Sequence, residues 1–170
     1  NFYDGLYHVD FAEGTYIKDS STGLLHVSKR LPPFLVGKSL PKLKDLKIDL
    51  LPANTAGKMI LVCFLDIEQR PSRNCLRQLN ARVQELKAKG MAIAAVQASK
   101  IDENSLNEWR RKYNISFPFG TVHGNEDRAR LTWGGRSLPW LILTDSQHVV
   151  IAEGFGLSEL DAKIKQIDEN

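Results

Sequence analysis

The sequence predicts an α/β domain built on a central mixed sheet with helices on both faces. Three observations carry that prediction. Met59 to Leu65 and Met91 to Ala98 are short, continuous apolar runs, the pattern of strands buried on both faces. The segments that follow them carry apolar residues at helical spacing. From Lys58 onward the elements read β-α-β-α-β-α-β-β-α. A strand–helix alternation that ends in two adjacent strands needs parallel and antiparallel pairs in one sheet.

Size and composition permit this and exclude other classes. A chain of 170 residues is one domain with room for an extension. It buries enough surface to fold without disulfide staples or a structural metal. Hydrophobic residues at 42% and charged residues at 25% are ordinary globular usage, which argues against disorder. The net charge of +3 is small and mixed in sign, so nucleic acid is not an expected partner. Two cysteines, Cys63 and Cys75, exclude a disulfide scaffold and a cysteine-rich zinc site. No apolar run reaches the roughly 18 residues of a membrane span. The first residue is Asn1, from which we expect that a signal peptide or a preceding domain lay upstream.

Residues 1–33 read as an N-terminal β extension and linker, and 34–170 as the main domain. Tyr7, Val9 and Phe11 alternate with polar residues, as in a half-buried strand. Gly14 and the run Asp19 to Gly23 are turn signals, and Leu24 to Val27 is the returning strand of a hairpin. Leu31-Pro32-Pro33 is the linker. Lys38, Lys42, Lys44 and Lys47 read as a solvated face.

In the main domain, Leu76, Leu79, Val83 and Leu86 form a helical stripe that stops at Lys89-Gly90. Asp102 is placed to cap a second helix with the stripe Leu106, Trp109 and Tyr113. Phe117-Pro118-Phe119 opens a short strand, and Asn125 to Trp133 reads as a short helix. Trp140 to Leu143 and Val149 to Ala152 are strands joined by the turn Thr144 to Gln147. Ser158 is expected to cap a last helix whose core face is Leu160, Ile164 and Ile167.

Four landmarks then stand in order. They are Gly57 to Phe64, Lys89-Gly90 before a strand ending at Gln97-Ala98-Ser99, Lys112 to Pro118, and Ser137-Leu138-Pro139 leading into Trp140 to Asp145. With them the chain, from about Val36 to Ile167, resembles the thioredoxin-like superfamily. The nearest branch is that of secreted or membrane-associated thiol–disulfide oxidoreductases and their peroxiredoxin relatives. The resemblance implies a thioredoxin-like fold, a cis-proline at Pro139, and a peptide-binding groove formed by Gln69, Arg70, Pro71, Leu138, Pro139 and Trp140. It implies no cofactor and no metal. That branch is commonly exported, which favours a periplasmic or secreted location.

The redox motif of the family is degenerate in this chain. Counted without gaps from Phe64, the C-x-x-C position holds Gln69-Arg70-Pro71-Ser72. Neither Gln nor Ser can exchange a disulfide, because that chemistry needs a thiolate attacking sulfur. Ser72-Arg73-Asn74-Cys75 also resembles the [ST]-x-x-C of peroxiredoxins. On that reading Cys75 is the catalytic thiol, with Ser72 and Arg73 beside it. If the helix starts at Pro71 or Ser72, Cys75 lies in its first turn, and Arg70, Arg73 and Arg77 supply cations that favour the thiolate. The other reading makes Cys75 a small apolar residue at the edge of the stripe.

Cys63 reads as a buried strand cysteine. A Cys63–Cys75 disulfide needs Cα atoms within about 7 Å, and a strand and a helix usually hold such a pair farther apart. Asp66 and Glu68 are expected to form an ion-pair cluster with Arg70 and Arg73. His8, His26, His123 and His148 read as surface residues without metal-ligand spacing. Trp140 stands where the family carries a small hydroxyl residue, and is either core packing or a partial plug of the groove.

Two functions follow. One is a single-cysteine peroxide or disulfide chemistry at Cys75, with a small thiol or peroxide as partner. The other is a non-catalytic module that keeps the groove and binds a protein or peptide. The oligomeric state is left open.

Overall fold

The computed structural model describes residues 6–11, 14–19, 25–28, 35–43, 46–122, 124, 129, 132–135 and 137–168. The chain divides into two compact units, Asn1–Phe34 and Leu35–Asn170.

The first unit is a three-stranded antiparallel sheet in the order β1 (Leu6–Phe11), β2 (Gly14–Asp19), β3 (Leu25–Ser28). The alternation around Val9 forms a strand, but Gly14 opens a second strand instead of only marking a turn. Phe11 faces Gly14 across a tight connection, so the expected hairpin gains a central strand. The proposed linker at Leu31 to Pro33 lies outside the described residues.

The second unit is an α/β domain around a six-stranded mixed sheet. Its elements are β4 (Leu46–Lys47), α1 (Pro52–Thr55), β5 (Met59–Leu65), α2 (Arg70–Ala88), β6 (Met91–Gln97), α3 (Glu103–Lys112), β7 (Phe119–Val122), β8 (Trp140–Thr144), β9 (Val150–Phe155) and α4 (Leu160–Asp168). Spatial order is β4-β7-β6-β5-β8-β9. Strands β5, β6 and β7 are parallel, while β4, β8 and β9 pair antiparallel to their neighbours.

The central strand β5 shows why its sequence is an unbroken apolar run. Leu61, Cys63 and Leu65 point into one core with the α2 stripe, Leu160 and Ile164. Ile60, Val62 and Phe64 point into another with Leu35, Leu46 and Trp133. Both faces are buried, so no polar alternation survives. Leu76, Leu79 and Leu86 are fully buried, at about 1.5–3 kcal/mol each for the transfer from water. Helix α2 ends at Ala88 with Lys89 as its cap, and Gly90 follows with a φ of +74°, the left-handed conformation that closes a helix without a side-chain clash.

Asp102 caps α3, its Oδ2 accepting Ser105 N at 2.9 Å. Trp109 and Tyr113 lie ring against ring, centroids 4.3 Å apart. Ser158 does not cap the last helix. It lies inside a 3-10 turn, Leu157–Glu159, that precedes α4, and the Glu159 carboxylate instead accepts Gly156 N at 2.7 Å. Of the helix expected over 125–133, Ala129 and Trp133 are buried, and residues 125–128, 130 and 131 lie outside the described residues.

Candidate functional site

Strand β5 carries the chain to the carboxyl end of the sheet, where α2 begins. Asp66, Ile67 and Glu68 form the connection, and Gln69 is the N-cap. Pro71 sits in the first turn, where its missing N–H costs no helical hydrogen bond. Strand β8 runs antiparallel to β5 with Phe64 opposite Trp140, so Leu138 and Pro139 enter β8 beside this connection. The Leu138–Pro139 bond is cis. The topology thus brings Gln69, Arg70 and Pro71 to the same end of the sheet as Leu138, Pro139 and Trp140. Gln69, Arg70 and Pro71 are exposed, while Leu138, Pro139 and Trp140 are half-buried.

A buried polar network holds the connection. The Ser72 side chain is 0% exposed, and its Oγ accepts Asp66 N at 3.1 Å. Asp66 Oδ2 accepts Gln69 Nε2, and Asp66 Oδ1 accepts Glu68 N and Gln97 Nε2. Gln97 Oε1 accepts Ile67 N at 3.0 Å. Arg73 Nη1 donates to the Ile67 and Glu68 carbonyls at 2.9 and 2.7 Å. Burial acts to raise the Asp66 carboxyl. Hydrogen bonds from Glu68 N, Gln97, Ser99 and Gln69 outweigh it and hold the carboxyl below its usual range.

The expected ion-pair cluster of Asp66 and Glu68 with Arg70 and Arg73 does not form among the described residues. The Asp66 oxygens face amides, and the Arg73 guanidinium is engaged by carbonyls. Sequence reasoning missed Gln97 as the hub. Asp66 and Gln97 are polar residues at the ends of two apolar strands, and it is the strand register, with Leu65 opposite Gln97, that brings them together.

The two thiols lie beneath this network. Helix α2 starts at Arg70, so Cys75 sits in its second turn and not its first, beyond the reach of the unpaired N–H groups. Cys75 is 6% exposed and faces the core. No arginine contacts it among the described residues. Its partner is Cys63, with the sulfurs 3.9 Å apart and both free. The two side chains meet, although no disulfide joins them. Cys63 is on the face of β5 that meets α2, and Cys75 is on the edge of the α2 stripe that meets β5.

A hydrogen bond to Cys75, burial and repulsion from Cys75 all raise the Cys63 thiol well above its usual value. Cys75 is lowered by accepting that hydrogen bond, against the effect of burial. Of the two, Cys63 holds its proton.

Two further residues change their reading. The Trp140 ring packs against the second core cluster and lies directly over Gly154, which is core packing. His148, read as a surface residue, is half-buried with Nε2 2.9 Å from the Thr55 carbonyl. His123 lies outside the described residues. Beside the network, a cleft of about 460 Å³ opens at the carboxyl ends of β6 and β7, lined by Lys47, Gln97, Ser99, Lys100, Arg110 and Thr121 among others. No helix among the described residues is long and apolar enough to cross a membrane.

No protein-family model matches the chain, and no curated protein matches it in sequence. Solved structures do match in three dimensions. A thiol-disulfide oxidoreductase from Bacteroides fragilis superposes with a TM-score of 0.56 at 18% identity, over 65% of this chain and 82% of its own. A thiol-disulfide isomerase from Corynebacterium glutamicum gives 0.57 at 13% identity, over 69% and 85%. The reduced 2-Cys peroxiredoxin of Plasmodium vivax gives 0.61 at 14% identity, over 81% and 83%. The chain has the thioredoxin-like fold.

Proposed function

We propose that this chain is a non-catalytic thioredoxin-fold module that binds an extended peptide or partner domain at the carboxyl end of its sheet. One observation carries the reading. At the positions of the family's redox pair, Gln69 and Ser72 are built into a hydrogen-bonded network with Asp66, and the Ser72 oxygen is committed to a backbone N–H. Such an arrangement keeps the shape of the connection while removing its chemistry. The buried position of Cys75, whose polar partner among the described residues is Cys63, further disfavours a single-cysteine enzyme. The binding surface of this reading is the exposed Gln69-Arg70-Pro71 turn with Leu138-Pro139 beside it. Residues 1–33 form a separate extension ahead of the binding domain.

Two assays test it together. Insulin-disulfide reduction and hydrogen-peroxide turnover should both stay at the uncatalysed rate. Titration with S-alkylated insulin B chain, an extended peptide without thiols, should shift the backbone amide resonances of Gln69, Arg70, Leu138 and Trp140. Turnover in either assay, or an absence of shifts at those residues, would overturn the reading. Gln69→Cys with Ser72→Cys should restore a disulfide-forming pair, since the two positions lie one helical turn apart at the head of α2.

A further inference from the structure

The buried thiols take no part in the binding surface, and their geometry carries a separate consequence. Cys63 and Cys75 face each other at 3.9 Å, van der Waals contact for sulfur, and both are free thiols; the Cys63 sulfur also lies 4.0 Å from the Phe64 carbonyl. We propose that this pair is an oxidisable dithiol, which a small peroxide converts into an intramolecular disulfide joining β5 to α2.

The sulfurs must close from 3.9 Å to about 2 Å, a movement within the reach of side-chain rotation because both already lie on facing surfaces. Cys75 is the attacking sulfur. It is the less deeply buried of the two, at 6% against 0% exposure, and it lies one turn from the exposed head of α2. The contact between the two sulfurs favours the Cys75 thiolate, since it lowers the Cys75 thiol and raises that of Cys63.

The steps balance. The Cys75 thiolate attacks one peroxide oxygen, the O–O bond breaks, and hydroxide leaves and takes up the proton that Cys75 released. With hydrogen peroxide the products are a Cys75 sulfenic acid and water. The Cys63 sulfur then attacks the Cys75 sulfur and displaces hydroxide, which takes the Cys63 proton. Two thiols and one hydrogen peroxide give one disulfide and two waters. The two electrons come from the thiols and go to the peroxide. Because the pair lies in the core, this is a single oxidation of the protein rather than a turnover, and it stands whether or not the surface binds a peptide.

The test uses the whole chain in its native state. It is exposed to hydrogen peroxide, quenched with catalase, unfolded, and blocked with N-ethylmaleimide before intact-mass analysis and a non-reducing tryptic map. The expected product is two hydrogen atoms lighter, takes up no maleimide, and links the Cys63 peptide to Asn74-Cys75-Leu76-Arg77. Dithiothreitol added to the unfolded product should reverse it. Wild-type thiol loss should run at least ten-fold faster than loss of Cys63 in Cys75→Ser. In Cys63→Ser, dimedone should trap a sulfenic acid at Cys75. Wild-type protein that keeps both thiols under conditions that fully oxidise glutathione would overturn the proposal. So would a disulfide between two chains, or Cys75 oxidised beyond the sulfenic state without a link to Cys63. The wild-type arms decide the matter even if a variant fails to fold.

Discussion

The two ends of helix α2 are both rich in polar contacts, yet they are built differently. At its head, Asp66, Ser72 and Gln97 are buried, and their partners are amides and backbone N–H groups. At its tail, Arg82, Glu85, Lys89 and Asp161 form an exposed ionic cluster, with Arg82 Nη2 at 2.9 Å from Glu85 and 2.7 Å from Asp161, and Lys89 Nζ at 2.7 Å from Glu85. Charges in water interact weakly and are screened by salt. A buried polar group left without a partner costs its full desolvation. The head should therefore hold the local structure, and the tail should decorate it.

The largest expected effect comes from breaking the head. Asp66→Ala removes the acceptor of Glu68 N, Gln69 and Gln97 at once. A loss of about 1.5–3 kcal/mol is expected, chiefly from the buried charge-assisted bond to Gln97, read as a lowered denaturant midpoint. If the loss stays within a few tenths of a kcal/mol, the network does not hold the head of the helix.

Acid sharpens the contrast next. Asp66, Glu85 and Asp161 all have carboxyls held below their ordinary values, Glu85 down to about 2 from 4.5. A lowered folded value means stability that is present above the unfolded value and is lost as pH falls through the folded one. Stability should therefore fall from about pH 4.5 toward pH 2, the window set by Glu85. In 1 M salt the share from Glu85 and Asp161 should shrink while the share from Asp66 persists, and Asp66→Asn should remove that persistent part. Thermal melts across this pH range, at low and high salt, check both statements.

The smallest effect belongs to the tail. Arg82→Ala should cost no more than about 1 kcal/mol at low ionic strength, and less in 1 M salt. A cost that survives high salt would show that the Arg82 stem, not its charge, does the holding.

The same contrast separates what sequence could reveal from what it could not. The β5 and β6 runs, the α2 stripe, the Asp102 cap and the glycine stop at Gly90 were legible because burial and capping leave a local periodic trace. The thioredoxin-like order of elements followed from them. The meeting of Cys63 with Cys75 was not legible, since it depends on how α2 is rotated about its axis over β5, which spacing within either element does not encode. The arginines were read as a cluster around Cys75 because they are close in the chain. The helix turns Cys75 inward, and Arg73 reaches back to the carbonyls before it. The network hub at Gln97 needed the register between two strands, and the cap at Glu159 depended on one extra 3-10 turn.

One contact has a meaning for the chain's history. The Trp140 ring occupies the space a side chain at residue 154 would fill, and Gly154 has a φ of +66°, a conformation that L side chains rarely adopt. The two residues constrain each other as sequence. A chain of this fold that acquires a large aromatic ring after Pro139 must already have, or acquire with it, a bare backbone on the neighbouring strand. Replacing Trp140 by a small residue would free the space above residue 154 without freeing its backbone angle. The substitutions are therefore not interchangeable in order: the ring cannot precede the glycine, and once the ring is seated the glycine is the harder of the two to give up.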